Sequence, residues 1–110
     1  MILEPRIAIV TAPQEVSYNN SQHFREALDA SLKKMPHGVV VDLSHTDYLD
    51  LTALGVVIGF HGRLTDSDVG LSLVIRPQSN LIGLLKQKGL DNIFSIENSV
   101  EAAIGALCPA

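Results

Sequence analysis

The sequence predicts an α/β domain in which short apolar strands alternate with amphipathic helices, and three observations carry that reading. Apolar spacing switches repeatedly between continuous β-branched runs and helical periodicity. Val39-Val40-Val41-Asp42-Leu43 is an apolar run without alternation, as expected of a central strand covered on both faces. Proline and glycine fall between the periodic segments, at Pro13, Pro36, Gly38, Pro77 and Gly89. Alternation of this kind implies a largely parallel or mixed sheet of four to five strands with about four packed helices.

Element by element, Ile7–Val10 forms the first strand and Ala12-Pro13 ends it. Phe24, Ala27, Leu28, Ser31, Leu32 and Met35 then share one face of a helix that Pro36 and Gly38 stop. Val39–Leu43 follows as the buried strand, and a second helix is expected from about Thr52 to Thr65. Leu71–Ile75 is the next strand. Pro77 sits where a third helix is expected to begin, with Leu81, Leu84, Leu85 and Lys88 on one face and Gly89 past its end. Ile93–Ile96 makes a last strand, and Ser99 is suited to cap a final helix carrying Val100, Ala103, Ile104 and Leu107. Glu15-Val16 adds a short extra strand.

The chain has 110 residues, 46% of them hydrophobic and 18% charged, which fits a single domain over residues 1–110. A domain of this length closes its core without disulfides or a structural metal. Its one cysteine, Cys108, has no partner within the chain and points to a reducing compartment. The formal net charge of −4 offers no footprint for a phosphate backbone, so nucleic acid is not expected as a partner. The start Met1-Ile2-Leu3-Glu4-Pro5-Arg6 lacks a basic segment followed by an apolar run, and no stretch is apolar enough to span a membrane. A cytoplasmic location is the expectation.

No phosphate-binding glycine loop, Gly-x-Ser-x-Gly elbow or His-Glu-x-x-His motif occurs, which argues against the enzyme classes built on them. His23, His37, His45 and His61 are scattered through different elements, so no metal site is expected. Ser44, His45 and Asp47 lie too close in sequence to converge as a hydrolase triad. A receiver-type aspartyl phosphate on Asp42 would need further carboxylates after the first strand, and Ile9-Val10-Thr11-Ala12-Pro13 supplies none. Asn19-Asn20-Ser21 matches the glycosylation sequon, but a cytosolic chain does not meet that machinery.

The informative stretch runs from Ser44 to Gly55. No Lys or Arg occurs between Lys34 and Arg63, while Asp42, Asp47 and Asp50 fall within that gap, so an acidic rim is expected there. Asp50 precedes an apolar helix and can cap it, its carboxylate accepting from first-turn amides and favouring the positive helix end. Thr52 places a hydroxyl in that first turn, where a phosphate could be received. On the helix itself Leu51, Leu54, Val57, Ile58 and His61 fall to one side and Thr52, Val56, Gly59, Phe60 and Arg63 to the other. Both sides are largely apolar. That two-sidedness predicts an exposed partner-docking face of Thr52, Val56, Gly59, Phe60 and Arg63, with Phe60 as its anchor.

Val39-Val40-Val41-Asp42-Leu43-Ser44, followed by Tyr48-Leu49-Asp50-Leu51-Thr52-Ala53-Leu54-Gly55, resembles the STAS domain of bacterial anti-sigma factor antagonists. In that family the turn reads Asp-Ser-Ser-Gly-Leu-Gly. Asp50, Leu54 and Gly55 match it, Thr52 stands where the phosphorylated serine belongs, and Leu51 and Ala53 depart from the usual Ser and Gly. The likeness continues through Leu71–Arg76, Gly89-Leu90, Phe94-Ser95-Ile96 and Ser99–Leu107, and weakens upstream, where Gln14-Glu15-Val16-Ser17 replaces Gly-x-Leu-Asp.

The resemblance implies a mixed sheet backed by helices and a switch that is not an enzyme and holds no cofactor. Its implied partner is an anti-sigma factor that is also a serine/threonine kinase; binding it frees a sigma factor for transcription. Phosphorylation at Thr52 would end that binding, and a PP2C-type phosphatase would restore it. The alternative within the same family is a scaffold module of a stress-sensing or transport complex that is never phosphorylated.

Overall fold

A computed structural model describes residues 6–107. Cys108 and the outermost residues of the 1–110 range lie outside the described residues. The order of elements is β1 (Ile7–Thr11), β2 (Glu15–Val16), α1 (Ser21–Leu32), β3 (Gly38–Asp42), β4 (Tyr48–Leu49), α2 (Leu51–Asp66), β5 (Gly70–Val74), α3 (Asn80–Gln87), β6 (Ser95–Glu97) and α4 (Val100–Leu107). The chain is thus an α/β domain with four helices, a four-stranded sheet of order β1-β3-β5-β6 and a two-stranded sheet of β2 and β4. All pairings among the described residues are parallel.

The apolar run at β3 is central because it is covered twice. Val39 and Val41 point into a core shared with α1, α2 and α3, while Val40 faces α4 together with Val74 and Ala103. All five β3 residues are buried, which explains the missing polar alternation. At the opening ends of β3 and β5, the paired Gly38 and Gly70 let α4 come close: a Cβ on Gly70 would stand 2.8 Å from Leu107 Cδ2. A side chain at Gly70 would oblige the Leu107 side chain to move.

Helix limits follow local chemistry. Ser79 Oγ accepts from the Leu81 N–H at 3.1 Å and Ser99 Oγ from the Ala102 N–H at 3.1 Å, so α3 and α4 both begin at a serine cap. Gly89, at φ 70°, takes the left-handed conformation after α3. The first helix differs from expectation. It ends at Leu32, and Met35 takes φ 52° in the following turn, 76% exposed, instead of extending the helix's buried face. Ala27 is exposed as well, leaving Phe24 and Leu28 as the residues α1 buries. The last strand begins at Ser95 rather than Ile93, because a turn from Leu90 swings Phe94 into the core and leaves Ile93 outside.

Candidate functional site

The carboxyl ends of the central strands lead into loops that converge on the start of α2. After β3, Asp42 is buried and its Oδ1 accepts from the Ser44 N–H at 2.9 Å, fixing the first bend. Thr46 is fully buried, its Oγ1 donating to Pro13 O at 2.8 Å. The chain then forms β4 against β2, in register Glu15↔Tyr48 and Val16↔Leu49. Asp50 follows at once.

Asp50 joins three segments. Its N–H donates to Val16 O at 3.1 Å, its carbonyl accepts from the Leu54 N–H at 2.9 Å, Oδ1 accepts from the Ala53 N–H at 2.8 Å and Oδ2 from the Tyr18 N–H at 2.9 Å. It is the N-cap of α2, with extended backbone at ψ 178°. Ser17, where the resembled family carries an aspartate, is buried in the loop that meets it, and its N–H donates to Asn20 Oδ1 at 2.8 Å. Thr52 is exposed in the first helical turn. No protein acceptor for the N–H groups of Leu51 and Thr52 is found among the described residues.

The rim is less acidic than the gap in basic residues predicts. Arg76, arriving from the end of β5, places Nη2 3.1 Å from Asp47 Oδ1, and Gln14 Nε2 donates to Asp47 Oδ2 at 2.8 Å. The Asp47 N–H in turn donates to Gln14 O at 2.7 Å. The Gln14 hydrogen bond first and Arg76 second hold the Asp47 carboxyl below its ordinary pKa. Asp42 is buried beneath the rim, and Asp50 is the carboxylate closest to Thr52 in sequence.

The expected docking face is only partly exposed. Val56 is 7% and Phe60 3% exposed, so neither is the solvent-facing residue anticipated from the helix pattern. The physical reason is α1, which packs beside α2 and covers the flank that carries Val56 and Phe60. Phe60 and Val56 belong to the main core with Leu28 and Phe24. Arg63 lies over the Phe60 ring, 6.0 Å from its centroid, and pairs with Asp29 of α1. α2 presents Leu51, Thr52, Gly55, Ile58, Gly59 and Gly62 to solvent, with Arg63 beside them and Thr65 and Asp66 at its end.

Two aromatic residues flank the turn that the sequence pattern did not single out. Tyr18 is 73%, Tyr48 54% and Leu51 66% exposed. These are the chain's only tyrosines, and both stand next to Asp50, one through its N–H and one two residues upstream. Large apolar side chains this exposed around one turn are unusual in a folded domain. Their signal lay in the pairing of β2 with β4, which brings Tyr18 back to the turn.

The model of the STAS domain matches residues 2–103. The chain belongs to the STAS domain family. No curated protein matches it. Among solved structures, this STAS domain is similar to an anti-sigma factor antagonist from Mycobacterium paratuberculosis, with TM-score 0.83 at 20% identity, covering 96% of this chain and 89% of that one. It is also similar to the Bacillus cell fate determinant SpoIIAA in its phosphorylated form, with TM-score 0.71, 13% identity and coverage of 98% and 96%. A sulfate transporter family protein from Wolinella succinogenes matches with TM-score 0.72, 13% identity and coverage of 97% and 88%. At these identities the likenesses establish the STAS fold. Among the described residues, no helix is long and apolar enough to cross a membrane, and no group of His, Cys, Asp and Glu side chains could hold a metal ion.

Proposed function

We propose that this STAS domain is an anti-sigma factor antagonist: a protein-binding switch, not an enzyme, whose unmodified form sequesters an anti-sigma factor kinase and whose phosphorylation on Thr52 ends that binding. The observation that carries the reading is the Asp50 carboxylate, which caps α2 and ties down Tyr18 while Thr52 stands exposed in the first turn of the helix. The kinase would supply ATP and magnesium; this chain needs only to present a hydroxyl in a fixed geometry. A PP2C-type phosphatase would return it to the binding form, and the exchange would take place in the cytoplasm.

The electrostatics support a switch of this sense. A phosphate adds about −1.5 to −2 charges at neutral pH. At Thr52 that charge would sit beside the Asp50 carboxylate, while the basic residue brought to the rim, Arg76, is engaged by Asp47. Burying such a group in an apolar interface costs free energy unless an arginine meets it. The surface around it is apolar, formed by Tyr18, Tyr48 and Leu51 with the open strip of α2 at Gly55, Ile58 and Gly59. Thr52, Gly59 and Arg63 keep their place in the proposed docking surface, and the tyrosines take the anchoring role.

Calorimetric titration of the unmodified and phosphorylated chain with the anti-sigma factor kinase tests the proposal. Tight binding by the first and weak binding by the second is expected. Equal binding by both forms would refute the switch and favour a scaffold that is not controlled by phosphate.

A further inference from the structure

β1 is an edge strand. Among the described residues it pairs only with β3, and its other side borders an open groove of about 670 Å³ flanked by Ala27, Ala30 and Ser31 of α1 and by Lys34 in the turn after it. The direction of its free hydrogen-bonding groups follows from the ladder. The Ala12 N–H donates to Asp42 O and Arg6 O accepts from His37 N, so the even-numbered residues face β3. Parallel-strand alternation therefore turns the N–H and C=O groups of Ile7, Ile9 and Thr11 outward, three donors and three acceptors along one edge. The strand Ile-Ala-Ile-Val-Thr carries no charge, no proline and no bulge, the devices by which edge strands usually avoid pairing. Ile9 is 48% exposed at its centre.

We infer that this edge pairs with β1 of a second copy of the chain, antiparallel and two-fold about Ile9, making one eight-stranded sheet across a dimer. Three features select a second copy. The outward triad is self-complementary: Ile9 meets Ile9 of the other copy and Ile7 meets Thr11, so every outward N–H and C=O finds its counterpart. Charges beside the groove are polarised along the strand. Arg6 and Lys34 lie at the Ile7 end, whereas Glu26 lies about two turns back along α1, toward the Thr11 end. Antiparallel addition thus sets the basic end of one copy toward the acidic end of the other. The α1 residues over the groove are small, Ala27, Ala30 and Ser31, and leave room for the second helix beside the joined sheet. The dimer leaves the α2 surface open, because the loops at the carboxyl ends of the strands point to opposite ends of the joined sheet.

Sedimentation equilibrium and amide hydrogen exchange on the full chain test this. A species of twice the 11.8 kDa chain mass is expected. Because Ile9 is exposed, Ile9→Lys and Ile9→Glu should each leave the unfolding curve of the dilute, monomeric chain unchanged while weakening self-association about tenfold or more. Mixing the two variants should restore it, since the two-fold sets opposite charges face to face. Exchange at the Ile9 and Thr11 amides should slow as protein concentration rises, while Ala8 and Val10 stay protected throughout. A monomer at all concentrations, a dimer that survives Ile9→Lys, a mixture that fails to reassociate, or Ile9 protection independent of concentration would each overturn the inference.

Discussion

Asp50 and Tyr18, 32 residues apart, are joined by a 2.9 Å hydrogen bond from the Tyr18 N–H to the carboxylate oxygen that the helix cap leaves over. The cap is therefore also a tether. One oxygen orders the first turn of α2 through the Ala53 N–H, and the other fixes the loop that carries the exposed Tyr18. Removing the carboxylate should loosen both at once.

Asp50→Ala should cost about 1–2 kcal/mol of stability, the upper half of the range for lost caps, because two amides lose an acceptor. Asp50→Asn retains one acceptor oxygen and should cost less. Urea unfolding of the two variants checks the order, and an Asp50→Ala midpoint equal to that of the parent would contradict the tether.

Phe60→Ala should behave as a core truncation. The ring is buried between α1 and the sheet, so a loss of about 3–5 kcal/mol is expected, with partner affinity unchanged in whatever fraction stays folded. A stable Phe60→Ala protein with lost binding would restore Phe60 to the docking surface.

Tyr48→Ala and Leu51→Ala should show the converse. Both side chains are more than half exposed, so stability should change by no more than about 0.5 kcal/mol. Affinity for the anti-sigma factor kinase should fall by roughly thirtyfold for an anchor residue, the equivalent of about 2 kcal/mol. Surface plasmon resonance on the two variants would show unchanged affinity if this surface is not the one used.

Much of the site was legible in the sequence because it rests on local chemistry. The caps at Asp50 and Ser99 are set within three residues of the amides they serve, and the valine run of β3 is buried on both faces as its lack of alternation implies, whereas α3 starts from the Ser79 cap and not at Pro77. What escaped was non-local. Helical spacing put Val56 and Phe60 on a different side of α2 from Leu54 and Val57, yet all four are buried in one core, because whether that flank meets water depends on α1, some 30 residues upstream. The same holds for Asp47, whose neutralising Arg76 arrives 29 residues later. β4 is two residues long and pairs with β2 across the whole of α1 and β3, too short for periodicity to reveal.

The Asp47 network predicts a pH dependence of definite sign. Its carboxyl titrates lower in the folded chain than when unfolded, held down by Gln14 and Arg76. The stability this adds is fully present above the unfolded carboxylate pKa of about 3.9 and is lost as pH falls through the lower folded value. Arg76→Gln should move the Asp47 titration upward when followed by NMR. An unmoved titration would show that Arg76 has no part in the network.

The central claim is that Thr52 is the residue a kinase modifies. Peptide mapping after incubation of the chain with the anti-sigma factor kinase and Mg-ATP reads this directly. Thr52 is exposed at the head of α2, Ser44 is half-buried, and Thr46 is buried with its hydroxyl bound to Pro13 O. Phosphate on Thr52, and none on the Thr52→Ala chain, is the result this account predicts. Phosphate on Ser44 or Thr46, an aspartyl phosphate on Asp42, or an unmodified chain would contradict it.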